Sequence, residues 1–194
     1  MKLTFLGNRE MPHKIIILGI FVLMIIVFSI LKPNYLSYGN IMTILLSTCV
    51  NGLLALGVSF VILTGGIDIS IGCVMTFSSI MSGIALTQWG FPLPLAILFG
   101  FFIGALCGAI NGFGVTKMLL PPFIATMAMQ MITKGLSLVV SGIKPVYFTS
   151  APGYQEIATG NFLGIEGFYN AIVILVVFAV IAYIIFSKTL IGRY

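Results

Sequence analysis

Charged side chains are what this sequence has least of: they make up 7% of its 194 residues, against about 25% in an ordinary soluble domain. With 60% of residues hydrophobic and a mean hydropathy of +1.21, the chain reads as an integral membrane protein. The nine cations outnumber the four acids, a formal charge of +5, but they are scattered at the ends of apolar runs and form no basic patch, which excludes a nucleic-acid partner. His13 is the only histidine and sits beside Lys14 in the N-terminal tail. Cys49, Cys73 and Cys107 fall singly within apolar runs, without CxxC spacing or a nearby histidine, and read as small core fillers rather than metal ligands or disulfide partners. There is no Walker motif, no Gly-rich phosphate loop, no carboxylate pair and no Ser/His/Asp set. No catalytic site or metal site is expected, and the chain does not read as an enzyme.

What is present is long apolar runs. A bilayer core about 30 Å thick needs about 20 mostly apolar helical residues, and six segments come close: 15–31, 41–64, 70–86, 93–115, 122–141 and 169–186. The first has no A-x-A-like cleavage site and reads as a retained signal anchor. The expected fold is therefore all-α, a polytopic transmembrane helix bundle of about six spans, with residues 1–194 forming one transmembrane domain. Lys2, Arg9 and Lys14 precede the first span, Lys117 lies between the fourth and fifth, and Lys188 and Arg193 follow the sixth. The positive-inside rule puts these regions and both termini in the cytoplasm. The opposite side then holds Lys32, the link around Trp89–Pro92, and a longer loop, 142–167, carrying Lys144, Glu156 and Glu166. Its Gly, Pro and Tyr content suggests an ordered external cap or a short helix. No low-complexity tract or internal repeat is evident.

Two spans carry patterns. Gly100, Gly104, Gly108 and Gly112 recur every four residues, so one face of the fourth span can approach another helix closely, within the molecule or at a subunit interface. In the fifth span Thr126, Gln130, Thr133, Lys134, Ser137 and Ser141 form a stripe at three-and-four spacing. Weaker polar faces lie on the second span (Thr48, Asn51, Ser59) and the third (Thr76, Ser79, Ser82). Polar groups are costly against lipid and face a bundle interior or a watery cavity. Three such faces would line a path for a polyhydroxylated solute, whose hydroxyls exchange hydrogen bonds with neutral partners. The competing reading is interhelical hydrogen bonding that only holds the bundle together. Lys134 lies near one end of its helix and has a plain alternative in snorkelling to the interface.

The stretch LTGGIDISIG, residues 63–72, places an acid between glycines amid apolar residues. Gly65 and Gly66 let the chain fold back tightly, and Asp68 or Ser70 is expected to accept hydrogen bonds from the open N–H groups at the start of the third helix. A capped turn explains most of the residue choice. Its apolar surroundings add a second reading, in which the turn forms part of an inner gate.

VILTGGIDISIGCVMTFSSIMSG, GALCGAINGFGVTKMLLPPFIATMAMQMITKGLSLVVSGIKPV and the terminal TLIGRY resemble the permease subunits of bacterial ABC sugar importers of the ribose, xylose, arabinose and galactoside branch. The resemblance runs from about the first span to the last residue. It implies a larger importer permease fold in the bacterial inner membrane, paired with a second permease subunit. An ABC ATPase would bind the ATP inside, so the chain itself needs no cofactor, and a periplasmic sugar-binding protein would dock outside, near loop 154–166. It also implies a function, forming the translocation path of an ATP-driven monosaccharide importer. In the family the segment matching IGRY runs on into a coupling helix that seats on the ATPase, whereas this sequence ends at Tyr194. It therefore reads as the N-terminal portion of such a permease, whether fragment, split gene or remnant. The rival function is a non-transporting interaction protein that binds an intact permease or its ATPase through the glycine face. An autonomous channel is disfavoured by the lack of a charge ring or filter-like motif.

Overall fold

A computed structural model describes residues 7–148, 153–164 and 168–188. Lys2, the side chains of Arg9 and His13, Glu166, Gly167 and residues 189–194, with Arg193 among them, lie outside the described residues. Seven helices follow in order: α1 Gly7–Leu31, α2 Tyr38–Leu63, α3 Ile71–Thr87, α4 Leu93–Thr116, α5 Pro122–Ser141, α6 Glu156–Thr159 and α7 Asn170–Lys188. A 3₁₀ turn, Phe162–Gly164, precedes α7. No strand occurs among the described residues beyond an isolated bridge between Asn161 and Tyr169.

All six expected spans are helices. Five are long and apolar enough to cross a membrane, while α3 has 17 residues and falls short of the length used for the others. At a rise of about 1.5 Å per residue it covers about 26 Å, which is less than a full hydrocarbon core. The cap expected over 142–167 contains α6 and the 3₁₀ turn, held by Asn170, whose Nδ2 donates to the Glu156 carbonyl at 2.9 Å.

The chain forms two compact units, 1–45 and 46–194. In the first, α1 leads into a turn where the Asn40 amide donates to the Tyr35 carbonyl at 2.6 Å and the Phe28 and Tyr35 rings lie 5.6 Å apart. In the second, α3 packs against both α4 and α5. Their shared core is Phe77, Ile103, Cys107 and Met129, flanked by Val74, Met81 and Phe99. Cys49 and Cys107 are buried, Cys73 is half-buried, and all three are free thiols. Phe60 of α2 meets Phe186 of α7 at 4.3 Å between ring centroids.

Helix ends follow local chemistry. Pro121 and Pro122 open α5, where a missing N–H costs nothing. Gly142 closes it at φ 62°, with Gly142 N–H bonding the Val139 carbonyl at 3.2 Å and Ile143 N–H bonding the Leu138 carbonyl at 3.0 Å. This is a Schellman closure, which needs a left-handed residue and so favours glycine.

Candidate functional site: a groove and the clamp beneath it

The break between α2 and α3 is built around Asp68. Its Oδ1 accepts both the Ser70 backbone N–H at 2.8 Å and the Ser70 hydroxyl at 2.6 Å. An acid two residues before a backbone donor forms such a turn readily. Asp68 thus closes a local turn on Ser70, the residue before α3, and does not reach the open N–H groups of the helix itself, where a cap was expected. Nor does Ser70: it sits at the N-cap position with α-helical dihedrals, not the extended backbone that turns a capping oxygen toward the first free N–H groups, and it makes no side-chain cap. Gly65 takes φ 74°, and Gly66 is buried, so close to Pro122 that a Cβ would lie 3.6 Å from that ring.

Two neighbouring helices hold this break. From α4, the Asn111 amide donates to Ser70 Oγ at 3.2 Å. From α5, Thr126 Oγ1 accepts the Ile69 N–H at 3.4 Å and donates to the Ile67 carbonyl at 3.2 Å. Ser70 and Thr126 are buried, and every buried side-chain polar atom among the described residues has a partner. Thr126, expected on the path or its gate, shares its one hydroxyl proton between the Ile67 carbonyl of the break and, at 3.3 Å, the Phe123 carbonyl of its own helix. Asn111 was not singled out by sequence reasoning, although an amide within an apolar span was a usable signal.

Between α3 and α5 lies a groove of ≈ 540 Å³ lined by Cys73, Thr76 and Ile80 of α3, by Gln130, Lys134, Ser137, Leu138 and Ser141 of α5, and by Ile143, Lys144 and Pro145 beyond it. Four expected path residues therefore line one groove, Thr76 from α3 and Gln130, Lys134 and Ser137 from α5. The α5 stripe divides by helical phase. Thr126, Thr133 and Ser137 are buried, the last two donating to the Met129 and Thr133 carbonyls at 2.8 and 2.7 Å. Gln130 and Ser141 stay partly exposed, and Lys134 is exposed. Ser79 instead lines a cavity of ≈ 380 Å³ on another side of α3, with Ser78, Ser82, Gly100, Gly104 and Tyr154, and a smaller one with Thr76 and Phe148.

The second span does not complete this groove. Asn51 is exposed, Ser59 donates to the Ala55 carbonyl at 2.8 Å, and neither lines the α3–α5 groove. α2 presents Gly52 to Leu175 of α7, so its contacts follow its apolar face. The glycine stripe of α4 is also divided. A Cβ at Gly100 would lie 3.0 Å from Ser82 Cβ, and one at Gly104 would lie 3.3 Å from Ser78 Oγ, whereas Gly108 and Gly112 have nothing within 4 Å. Close packing on α3 is thus a property of the first half alone, reinforced by Ser82 Oγ donating to the Ala96 carbonyl at 2.8 Å. Among the described residues no cluster of His, Cys, Asp or Glu suits a metal ion.

Comparison with known proteins adds the lineage. The family described as branched-chain amino acid transport system permease components matches residues 40–194. The chain is similar to the ribose import permease protein of Bacillus subtilis, 42% identical over 178 residues, covering 91% of this chain and 53% of the relative. It is 32% identical to the fructose import permease protein of Rhizobium meliloti over 180 residues, covering 90% and 50%. It is 34% identical to the xylose transport system permease protein of Escherichia coli (strain K12) over 139 residues, covering 69% and 35%. The chain thus spans about half the length of the first of these relatives. No solved structure matches.

Proposed function

Because this chain belongs to the family of branched-chain amino acid transport system permease components, we propose that it is a membrane subunit of an ATP-driven importer and that the α3–α5 groove forms part of the path of a monosaccharide. The carrying observation is the lining of that groove, to which α3 contributes Thr76 and α5 contributes Gln130, Ser137 and Ser141; the three hydroxyls donate to backbone carbonyls of their own helices and keep lone pairs to accept, and the Gln130 amide can both donate and accept. Neutral donors and acceptors of this kind suit a polyol, and the volume falls in the range of small-molecule sites. A branched-chain amino acid would bring an ammonium group, and the groove lining carries two cations, Lys134 and Lys144, and no carboxylate to meet it. Two of the relatives named above are permeases for ribose and fructose, which agrees with the polyol reading.

On this reading the subunit works with a second permease subunit, an ABC ATPase that binds the ATP, and a periplasmic sugar-binding protein. It resides in the bacterial inner membrane with both termini in the cytoplasm, and it performs no chemistry of its own.

The test is uptake of labelled ribose, xylose, arabinose, galactose and fructose, with leucine as the amino-acid arm. Cells carry the gene at its native locus and lack other sugar permeases. Uptake of one sugar that depends on the ATPase and the binding protein is expected. Replacing Gln130 by Ala or Thr76 by Val should then lower it about fivefold at unchanged membrane abundance, the loss of one hydrogen bond of about 1 kcal/mol. Leucine uptake would overturn the solute class. No uptake of any solute, with good insertion, would favour the interaction-protein reading.

A further inference from the structure

We propose that Asn111 is a positioning residue of the transport cycle, holding the Asp68–Ser70 break against α4 so that the near end of the α3–α5 groove is closed. The proposal rests on the reading of that groove as part of the solute path.

Donor counting gives the clamp a direction. The Ser70 hydroxyl has one proton, and it lies 2.6 Å from Asp68 Oδ1, which also takes the Ser70 N–H. Only the lone pairs of Ser70 Oγ remain, and the Asn111 amide donates to them at 3.2 Å. The chain therefore runs from Asn111 through Ser70 to Asp68, ending on a carboxylate that can only accept. Thr126 holds the same segment from α5, accepting from the Ile69 N–H and offering the Ile67 carbonyl a proton that it shares with its own Phe123 carbonyl. Three elements meet here through polar groups that would be costly to bury if any partner were missing.

The position is what links the clamp to the groove. Cys73 follows Ser70 by three residues and Gln130 follows Thr126 by four, and both line the groove. The clamp therefore sits about one helical turn, some 5.4 Å of rise, below the groove's near end. Its side chains come from α4, α5 and the break itself, and residues 64–66 join it to α2 through N–H groups bonded to the Val61 and Ile62 carbonyls.

Cys73 reports on the near end, and the other two thiols, Cys49 and Cys107, are buried. The test labels Cys73 with a membrane-impermeant thiol reagent in right-side-out and inside-out vesicles, with a Cys73→Ala chain as background, alongside uptake and abundance. From the face where α3 begins, labelling should be slow in the unaltered protein. Asn111→Asp sets the Ser70 hydroxyl between two carboxylates, and should raise labelling about tenfold, equivalent to about 1.4 kcal/mol, while lowering uptake. Asp68→Asn keeps an acceptor oxygen and should be mild. The double variant Asp68→Asn/Asn111→Asp lets the chain run the other way, and should bring labelling and uptake back to the level of Asp68→Asn alone. Should Asn111→Asp reach the membrane poorly, recovery of abundance in the double variant supports the clamp. Labelling of Asn111→Asp at the unaltered rate, or a double variant no better than Asn111→Asp in labelling or abundance, overturns it. Labelling needs no solute, so it decides this point even if the uptake panel returns nothing.

Discussion

Asp68 shows how much one side chain can organise when it accepts two bonds through a single oxygen. Replacing it with Asn preserves an acceptor at the same place, and Asn serves such turns about as well as Asp. Replacing it with Ala leaves the N–H and hydroxyl of Ser70, a residue with 0% exposure, without the partner they share. Asp68→Ala is expected to cost about 1–3 kcal/mol of stability, and Asp68→Asn little, as read by thermal unfolding of the purified protein in detergent. Equal midpoints for the two variants would show that the break is held by backbone packing instead. The acid's turn role was legible in LTGGIDISIG because it depends on residues two positions apart. The Asn111 contact was not, since it joins positions 41 residues apart and nothing in local spacing ranks one amide above another.

At the scale of the helix, the glycine stripe of α4 looked uniform in sequence and is not uniform in the fold. Gly100→Ala would set a Cβ 3.0 Å from Ser82 Cβ and 3.4 Å from the Ser78 carbonyl, so α3 and α4 must part or strain. Overpacking of this sort typically costs about 1–3 kcal/mol. Gly112→Ala meets nothing within 4 Å and gains helix propensity, up to about 1 kcal/mol. Thermal unfolding should therefore move in opposite directions for the two variants. A matching loss at Gly112 would mean that another surface closes on that half of the stripe. The α5 stripe teaches the same point. A period of 3.6 residues puts Thr126 and Thr133 on the packed side, Gln130 and Lys134 toward the groove, and Ser137 between them, buried yet on the groove's lining; that division depends on where α3 lies.

For the molecule as a whole, the distribution of cations makes a directional prediction. Lys14, Lys117 and Lys188 lie at ends expected in the cytoplasm, and Lys144 lies in the opposite loop. An alkaline phosphatase fused after Lys144 should be active, and one fused after Lys117 inactive. The reverse pattern would invert the orientation and put the Asp68 break on the outer face. Either way, several helices long and apolar enough to cross a membrane and the family match make this a multi-pass membrane protein.

Composition and hydrophobic run length determined the all-α class, the six helices and, to within a few residues, their ends, because each of those depends on local apolar content and on Pro and Gly at the boundaries. The motifs LTGGIDISIG and PPFIAT carried the lineage in the same way. Tertiary structure alone decided which polar residues meet. It drew Thr76 to Gln130 and Lys134 in one groove, left Asn51 and Ser59 of α2 outside that groove, and recruited Asn111 to the break. The reason is physical: a helix displays every side chain in turn around its axis, and only the neighbour it packs against determines which of those faces becomes a site.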